Sequence, residues 1–325
     1  EYQVGTRVRA RLNFDAREET ELGTLRAFAR LQATNTAGAN NGVDIDQAYI
    51  QLGGLLMGYR DTLWSSGIGG LEDGLLTDTD LVVGDIKTNQ VSYTFAANGF
   101  SASIGAEDDR TGDVVPDVHA KLVYSGAWGG AYISGVYDET YNREDLRAVT
   151  LNGIAINLVG VYPTLLQDGN NDAFALKGGI LLKDLIAPKS QLKIEGHYAF
   201  DPTIYAGIVG IDSVSSISAS QFTTAGVPIT LEWAAGAGYA QAFGKLGLAV
   251  SGQYGETFDV SLFNTRNGLR IVDNGTYYAG VLNVGYQVTN NFATLGEVSY
   301  KNVDFGGPVG ETDQVSGFLR FQRNF

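Results

Sequence analysis

The chain has 325 residues, and its 22 lysines and arginines against 36 aspartates and glutamates give a net charge of −14. Such an acidic chain argues against binding to nucleic acid, because a phosphate backbone selects a cationic partner. The chain has no cysteine, which excludes thiolate zinc sites and disulfide frameworks. With only two histidines, it has few candidates for the base of a catalytic triad. Polar residues interrupt every apolar stretch well before ~18 positions, so no transmembrane helix is predicted, whereas a spanning strand needs only about 10 residues.

Side chains alternate between apolar and polar from the start of the chain. One face of the first segment carries Val4, Thr6, Val8, Ala10, Leu12 and Phe14, and the other carries Gly5, Arg7, Arg9, Arg11 and Asn13. The pattern restarts after residues 15–23. Its apolar face is then Leu25, Ala27, Ala29, Leu31 and Ala33, opposite Arg26, Phe28, Arg30, Gln32 and Thr34. A period of two is typical of strands, so the sequence predicts a β-hairpin here.

The same period returns along the chain and predicts fifteen strands. They lie near 1–14, 23–36, 44–53, 55–64, 89–97, 99–107, 117–126, 128–138, 172–184, 191–200, 229–242, 245–255, 275–288, 291–302 and 313–325. Tight turns alternate with long connections near 61–88, 108–116, 139–171, 201–227, 256–274 and 303–312. Short turns on one rim and long loops on the other are typical of an outer-membrane barrel, whose strand number is even. We therefore expect a sixteenth strand upstream of residue 1, in a single barrel domain over 1–325.

A soluble β-sandwich shows the same alternation, but three features favour a membrane barrel. Aromatic residues pair at eight-residue spacing on the apolar face, Tyr278 with Tyr286 and Phe292 with Tyr300. Eight residues of a tilted strand span about 20 Å, close to the distance between the aromatic girdles of a barrel. The opposite face carries charged and polar side chains, and the chain ends on Phe325, as suits a terminal barrel strand. Examples on that opposite face are Lys193, Glu195, His197, Glu297, Ser299 and Lys301.

Three sequence segments resemble the alphaproteobacterial family of general porins. They are residues 19–25 (ETELGTL), 47–54 (QAYIQLGG) and 317–325 (GFLRFQRNF), and the likeness is strongest over 1–126 and 275–325. The resemblance implies an all-β, sixteen-stranded antiparallel transmembrane β-barrel, a homotrimer, and a third loop that folds into the lumen. Residues 1–14 resemble the family's second strand, so the absent first strand would bring the predicted strands to sixteen.

The third-loop candidate is the first long connection, residues 61–88. It contains the acids Glu72, Asp73, Asp78, Asp80 and Asp85. The luminal arginines expected opposite them are Arg7, Arg9, Arg11, Arg26 and Arg30, extended by Arg60. Arginines keep their protons, so nearby carboxylates or anions must relieve their repulsion, and an acidic loop across the lumen supplies this. The resulting transverse field would sort solutes by size, dipole and charge.

The arginines have an alternative interpretation as a surface patch that pairs with lipopolysaccharide phosphates, and residues 61–88 as an ordinary outer loop. The pore-wall interpretation is favoured because the alternate face of the same strands is apolar. A charge on the lipid side at the membrane midplane would cost roughly 2–4 kcal/mol.

Catalytic and metal chemistry find little support. His119 and His197 lie on the predicted luminal face of separate strands without a Gly-x-Ser-x-Gly elbow, and a solvated lumen histidine is the common explanation. The acids around Glu107, Asp108, Asp109 and Asp113 do not match the spacing of a known calcium loop. We therefore predict no catalytic residue, no metal site and no cofactor.

The sequence thus predicts a passive diffusion channel in the outer membrane of a Gram-negative bacterium. Its partners would be two further copies of itself, outer-membrane lipids and lipopolysaccharide, and the small hydrophilic solutes and ions that pass through, with no nucleic acid. The alternatives are a substrate-selective barrel transporter that retains one ligand and a barrel-borne outer-membrane hydrolase.

Overall fold

The computed structural model describes most of the chain as β-strand. The described residues are 4–39, 41–65, 71–82, 86–108, 114–139, 149–151, 154–156, 173–211, 222–224, 229–264, 266–268 and 270–325. They include one short 3-10 helix, Ile204–Ala206. Within these ranges no helix has the length and apolar character needed to span a bilayer.

The strands are numbered in chain order. They are β1 (Arg7–Thr20), β2 (Gly23–Thr36), β3 (Gly42–Leu52), β4 (Leu55–Asp61), β5 (Lys87–Ala97), β6 (Phe100–Glu107), β7 (Asp117–Gly126), β8 (Gly129–Asp138), β9 (Val149–Leu151), β10 (Ile154–Ile156), β11 (Ala173–Lys183), β12 (Ser190–Ala199), β13 (Phe222–Thr224), β14 (Leu231–Phe243), β15 (Leu246–Thr257), β16 (Val260–Asn264), β17 (Arg270–Asp273), β18 (Thr276–Thr289), β19 (Phe292–Asp304) and β20 (Glu311–Arg323).

Fifteen of these strands form one antiparallel sheet in which neighbours follow the order of the chain, β1–β8, β11, β12, β14, β15 and β18–β20. The fifteen predicted strands and the antiparallel fold are confirmed. In the described part of the chain, β1 and β20 are the two edges of this sheet. The long connections add a hairpin of β9 and β10 and a three-stranded sheet in the order β13-β16-β17, which the alternation did not predict.

The tight turns have the backbone geometry that their residues favour. Between β5 and β6, Asn98 and Gly99 have φ values of 51° and 82°. Two consecutive left-handed residues form the turn whose twist matches an antiparallel hairpin, and Asn-Gly adopts it at low cost.

The first strand differs from its predicted range of 1–14. In the structure β1 runs from Arg7 to Thr20, and its register with β2 ends at the pair Thr20 and Gly23. The sequence predicts a turn over residues 15–23, because the apolar alternation stops after Phe14 and restarts beyond Gly23. The first part of this stretch continues the strand because Asp15 accepts hydrogen bonds from Arg26 on β2 and from Arg17, which stabilises polar pairing at this end of the sheet.

The outward face of the sheet is apolar and exposed. Towards the end of the barrel with the long loops, aromatic side chains follow one another from strand to strand: Tyr137, Phe174, Tyr198, Trp233, Tyr254, Tyr278 and Tyr300. The rings of Trp233 and Tyr254 lie 5.8 Å apart, and those of Tyr278 and Tyr300 lie 6.0 Å apart. A band of this kind is typical of the interface between hydrocarbon and lipid headgroups.

The inward face is polar and holds the connection after β4. Residues 71–82 of that connection contact side chains of this face on β7, β11, β12, β15 and β19. The third loop therefore folds into the lumen, as predicted, and it packs against the wall that these strands form.

Candidate pore constriction

Arginines form one wall of the lumen on β1 and β2. In the register of the hairpin, Arg11 faces Gln32 and Asn13 faces Arg30, so the side chains form a compact patch. Arg11 donates a hydrogen bond to Gln32 (2.8 Å). Arg9 and Arg7 lie on the same exposed face of β1, one and two alternations further from the hairpin turn than Arg11.

Asp15 neutralises the end of this patch nearest the hairpin turn. It accepts two hydrogen bonds from Arg26 (both 2.9 Å) and two from Arg17 (3.0 and 3.1 Å). Paired N–H donors of a guanidinium match a carboxylate, so both arginines are held in fixed orientations. Arg26 also stacks over the rings of Phe28 (4.9 Å) and Tyr49 (5.5 Å).

Asp46 neutralises the centre of the patch. Its carboxylate is buried and contacts Arg30, Lys87 (3.0 Å) and Arg11 (3.7 Å). It reaches them because the register of β2 with β3 shifts between Arg30 and Leu31, which leaves Asp46 as an extra residue in β3. Such a β-bulge re-aims side chains and is frequent near functional sites.

Arg60 extends the arginine wall onto β4. Its guanidinium lies over the ring of Tyr49 (5.6 Å), the ring that Arg26 also contacts. Its buried Nε has no hydrogen-bond partner among the described residues. Tyr49 therefore separates two like charges and offers each an aromatic face.

The loop acids have three different environments. Glu72 is fully buried and forms an ion pair with Lys121 of β7 (2.8 Å). Asp78 is exposed and contacts Arg320 of β20 (2.8 Å). Asp73 is exposed, Asp80 is half-buried, and Asp85 lies outside the described residues.

Lysines of the wall hold the backbone of the loop. Lys121 donates to the carbonyl of Leu63 (3.1 Å), Lys177 to that of Glu72 (2.9 Å), and Lys193 to that of Gly74. Further along, Lys301 donates to the carbonyl of Asp80 (2.7 Å). A carbonyl accepts from an ammonium as a charge-assisted hydrogen bond, so each lysine fixes a point of the loop.

Glutamates of the same wall hold the backbone N–H groups. Glu297 accepts from Asp78 and Thr79 (both 2.7 Å), and Glu107 accepts from Leu63 (2.8 Å). Side chains of the wall thus bind both carbonyl and N–H groups of the loop. The loop is held by its main chain, so its acidic side chains Asp73 and Asp78 stay exposed.

The residues that neutralise the arginines were not predicted. The contacts to Arg11, Arg26 and Arg30 come from the wall residues Asp15 and Asp46, whereas Asp78 contacts Arg320. The sequence does contain a signal for Asp46, because the outward apolar positions change from odd numbers at Ile45 to even numbers at Ala48. A change of parity within a strand indicates a bulge.

The two histidines are buried, which corrects the expectation of solvated lumen histidines. His119 is fully buried, with its ring 5.0 Å from that of Tyr205 and its Nε2 3.4 Å from a carboxylate oxygen of Glu107. His197 is 8% exposed. Within the described residues, neither ring nitrogen of His119, nor Nε2 of His197, has a hydrogen-bond partner. No side chain in the described part of the chain therefore pairs with these nitrogens as the nucleophile of a hydrolase would.

Metal ligands do not assemble in the described part of the chain, where no group of three His, Cys, Asp or Glu residues is placed to hold an ion. Glu107 binds Leu63 and Thr88 instead. Asp109 and Asp113, from the acidic cluster considered above, lie outside the described residues.

The family profile described as "Porin subfamily" matches residues 2–318. Over 144 residues the chain is 37% identical to porin Omp2b of Brucella abortus (strain 2308) and of Brucella suis, a match that covers 36% of this chain and 39% of each relative. The match therefore spans about two fifths of the length of these curated relatives.

Solved structures show the same fold. The outer membrane channel DcaP of Acinetobacter baumannii superposes with a TM-score of 0.63 at 16% identity, covering 97% of this chain and 84% of that one. A mutant of the Rh. blastica porin superposes with a TM-score of 0.52 at 13% identity, covering 97% and 90%.

Proposed function

The chain belongs to the porin subfamily, and on this basis we propose that it forms a passive, water-filled diffusion channel in the outer membrane of a Gram-negative bacterium. The observation that carries the proposal is the two-faced sheet. One face is apolar and ringed by aromatic residues, whereas the other carries the paired arginines and the acidic loop. Because the apolar face is the exposed one and the polar face lines the interior, a membrane outside and water inside stabilise both faces of this sheet. We propose that residues 1–325 belong to this one barrel domain.

The constriction in this proposal lies between the arginine wall and the loop. Its cationic side is Arg7, Arg9, Arg11, Arg26, Arg30 and Arg60. On the loop side, Asp73, Asp78 and Asp80 have exposed or half-buried carboxylates, while Glu72 supports the loop from behind. Asp85 stays a prediction. Opposite charges on the two sides of a narrow aqueous passage set up a transverse field, so small hydrophilic solutes and ions pass according to size, dipole and charge.

A homotrimer fits the outward face of β1–β4. This face carries small and aliphatic side chains, with Phe14 and Tyr59 as its aromatic residues, in contrast to the aromatic band over β8–β19. Its small residues are Ala10, Ala16, Ala27, Ala29, Ala33 and Ala48. Small residues allow close approach of another protein surface within the bilayer, whereas aromatic belts suit lipid headgroups. We propose that copies meet here and that lipids and lipopolysaccharide contact the remaining perimeter.

A bulky residue on this face should separate the copies. We expect the Ala29→Trp variant to migrate as a monomer when loaded unheated on a detergent gel, because the indole prevents close approach of the neighbouring copy. The control is Ala237→Trp, the same change on the outward face of β14. A trimer band that survives in Ala29→Trp as it does in the control contradicts this interface.

A channel without catalysis is the simplest account of the site. The substrate-selective transporter and the hydrolase remain alternatives, and no contact among the described residues favours either. A transporter that retains one ligand would show flux that saturates with that ligand, whereas an open pore would not.

The channel hypothesis predicts large conductance steps in a planar bilayer that grow linearly with salt. Replacing Arg7, Arg9 and Arg11 together by glutamine should shift ion selectivity several-fold toward cations, because three fixed positive charges leave the constriction. The measurement is the reversal potential under a salt gradient. The control is Arg323→Gln, because Arg323 is the last residue of β20 and its guanidinium lies over the ring of Phe325. Wild-type protein without steps contradicts the channel, and an unchanged reversal potential in the triple variant contradicts the arginine wall.

A further inference from the structure

Apolar side chains fill part of the lumen, where a water-filled barrel has polar ones. Leu75 and Leu81 of the constriction loop pack in one buried cluster with Ile208 and Ile211, and with the inward-facing Tyr277 and Val281 of β18. A second buried cluster joins Trp64 of the loop, Val136 of β8 and Tyr205. Among the described residues, these clusters leave no room for water where their side chains pack.

The apolar partners come from a second inward segment, residues 200–211 after β12. This segment pairs with the constriction loop by an antiparallel bridge between Val82 and Ile208. The N–H of Val209 donates to the carbonyl of Leu81 (3.3 Å), and the rings of Trp64 and Tyr205 lie 6.1 Å apart. The two segments thus form one packed body inside the barrel.

Polar contacts at the loop end of β7 and β8 fasten the second segment to the wall. The hydroxyl of Tyr205 donates to Asp117 of β7 (2.7 Å), and that of Thr203 donates to Asp138 of β8 (2.5 Å). Burial, followed by the charge of Asp117, raises the pKa of Tyr205 well above its usual value. Its hydroxyl therefore stays protonated and keeps donating to that carboxylate.

Lys301 of β19 joins both segments from the other side. Its Nζ donates to the carbonyl of Asp80 in the constriction loop (2.7 Å) and to that of Val209 in the second segment (2.6 Å). The side chain is only 2% exposed. One buried ammonium thus binds the two segments at the point where their backbones meet.

We propose that the two segments form a single partition, which closes the lumen along β8–β19. Permeation is confined to one eccentric passage beside β1–β5 and β20. Lys301 is the residue that positions the partition. The proposal rests on the proposed channel function and adds where solutes pass. Every permeating solute then passes the arginine patch, because the apolar sector offers no second path beside it. Ion selectivity is then set by the side chains that line this passage, and not by those around the whole inner wall of the barrel.

The absence of cysteine from the sequence permits a direct test with single introduced thiols. Ala279 of β18 faces the closed sector and is buried, whereas Gln32 of β2 faces the passage and is half-buried. The folded variants Ala279→Cys and Gln32→Cys are treated with a small water-soluble cationic methanethiosulfonate. We expect the thiol behind the partition to react more slowly by about tenfold or more, because it is reached only after local opening. Equal rates, or an unreactive Gln32→Cys variant, overturn the proposal.

The role of Lys301 is tested in the same assay with Lys301→Met, which keeps the length of the side chain and removes the ammonium. In this background the rate of Ala279→Cys should rise several-fold while that of Gln32→Cys stays unchanged, and the conductance step should increase. Resistance of the unheated barrel to unfolding on a gel verifies that each variant is folded. If Ala279→Cys stays protected in a folded Lys301→Met barrel, Lys301 does not position the partition. Labelling needs no ion flux, so a failure of the channel hypothesis appears separately, as wild-type protein without conductance steps.

Discussion

Replacing Asp46 by asparagine is expected to shift ion selectivity toward anions by about fivefold. A unit charge in water acts on an ion about 8 Å away with ~0.5 kcal/mol, which changes the concentration of each ion sign about twofold in opposite directions. Asp46 is the carboxylate that contacts Arg11, Arg30 and Lys87, so the variant leaves three cations beside one another. The free energy of unfolding should also fall by about 2 kcal/mol, less than for a fully dry ion pair because lumen water screens the arginines.

The matched control for this prediction is Asp44→Asn. Asp44 lies two residues before Asp46 on β3, opposite Gln32 of β2. Unlike Asp46, it is exposed. Screening by water should make its effect on the reversal potential and on thermal unfolding small. The comparison separates the position of Asp46 from the change in net charge, which is identical in both variants. Equal effects of the two substitutions would mean that the bulge has no special role.

The strand framework could be predicted because two solvents act on the same sheet. Hydrocarbon outside and water inside require alternation in every spanning strand, so residues such as Leu12 and Arg11 reveal their faces without knowledge of their neighbours. The fifteen strands of the sheet were found in this way. The end of β1 was missed because, beyond Phe14, the strand leaves the apolar band and its stability comes from ion pairs with β2.

The constriction could be predicted only in part. Arginines on alternate positions and a long acidic loop are visible in the sequence, and they predict an arginine wall facing an inward loop. The contacts that position the loop are not visible, because Lys177, Lys193 and Lys301 bind backbone carbonyls, which every residue possesses. The second inward segment was also missed. Its packing on Leu75 and Leu81 joins loops that are distant in the sequence, and short apolar runs in loops carry no period.

Close contact between the loop and β14 gives the other large expected effect. A Cβ atom added at Gly238 would lie 1.8 Å from the carbonyl oxygen of Leu75, so Gly238→Ala must displace one of the two backbones by about 1 Å or more. The strand cannot yield easily, because β14 is hydrogen-bonded to β12 on one side and to β15 on the other over most of its length. The loop therefore moves, and Leu75 loses its place in the buried cluster. We expect a loss of about 2–5 kcal/mol in stability, as for removal of a buried leucine, and a conductance step about twofold larger.

The same substitution at Gly247 provides the control, because a Cβ atom there has no neighbour within 4 Å. Gly247 lies on β15, close in the sheet to the end of β14, so the two variants share the cost of replacing glycine in a strand and differ in contact with the loop. Single-channel recording and thermal unfolding of both variants separate these contributions. If Gly238→Ala matched Gly247→Ala in both measurements, the loop would not be seated against β14. If only the stability fell, the loop would move without bounding the passage, and the narrowest point would have to lie elsewhere along the arginine wall.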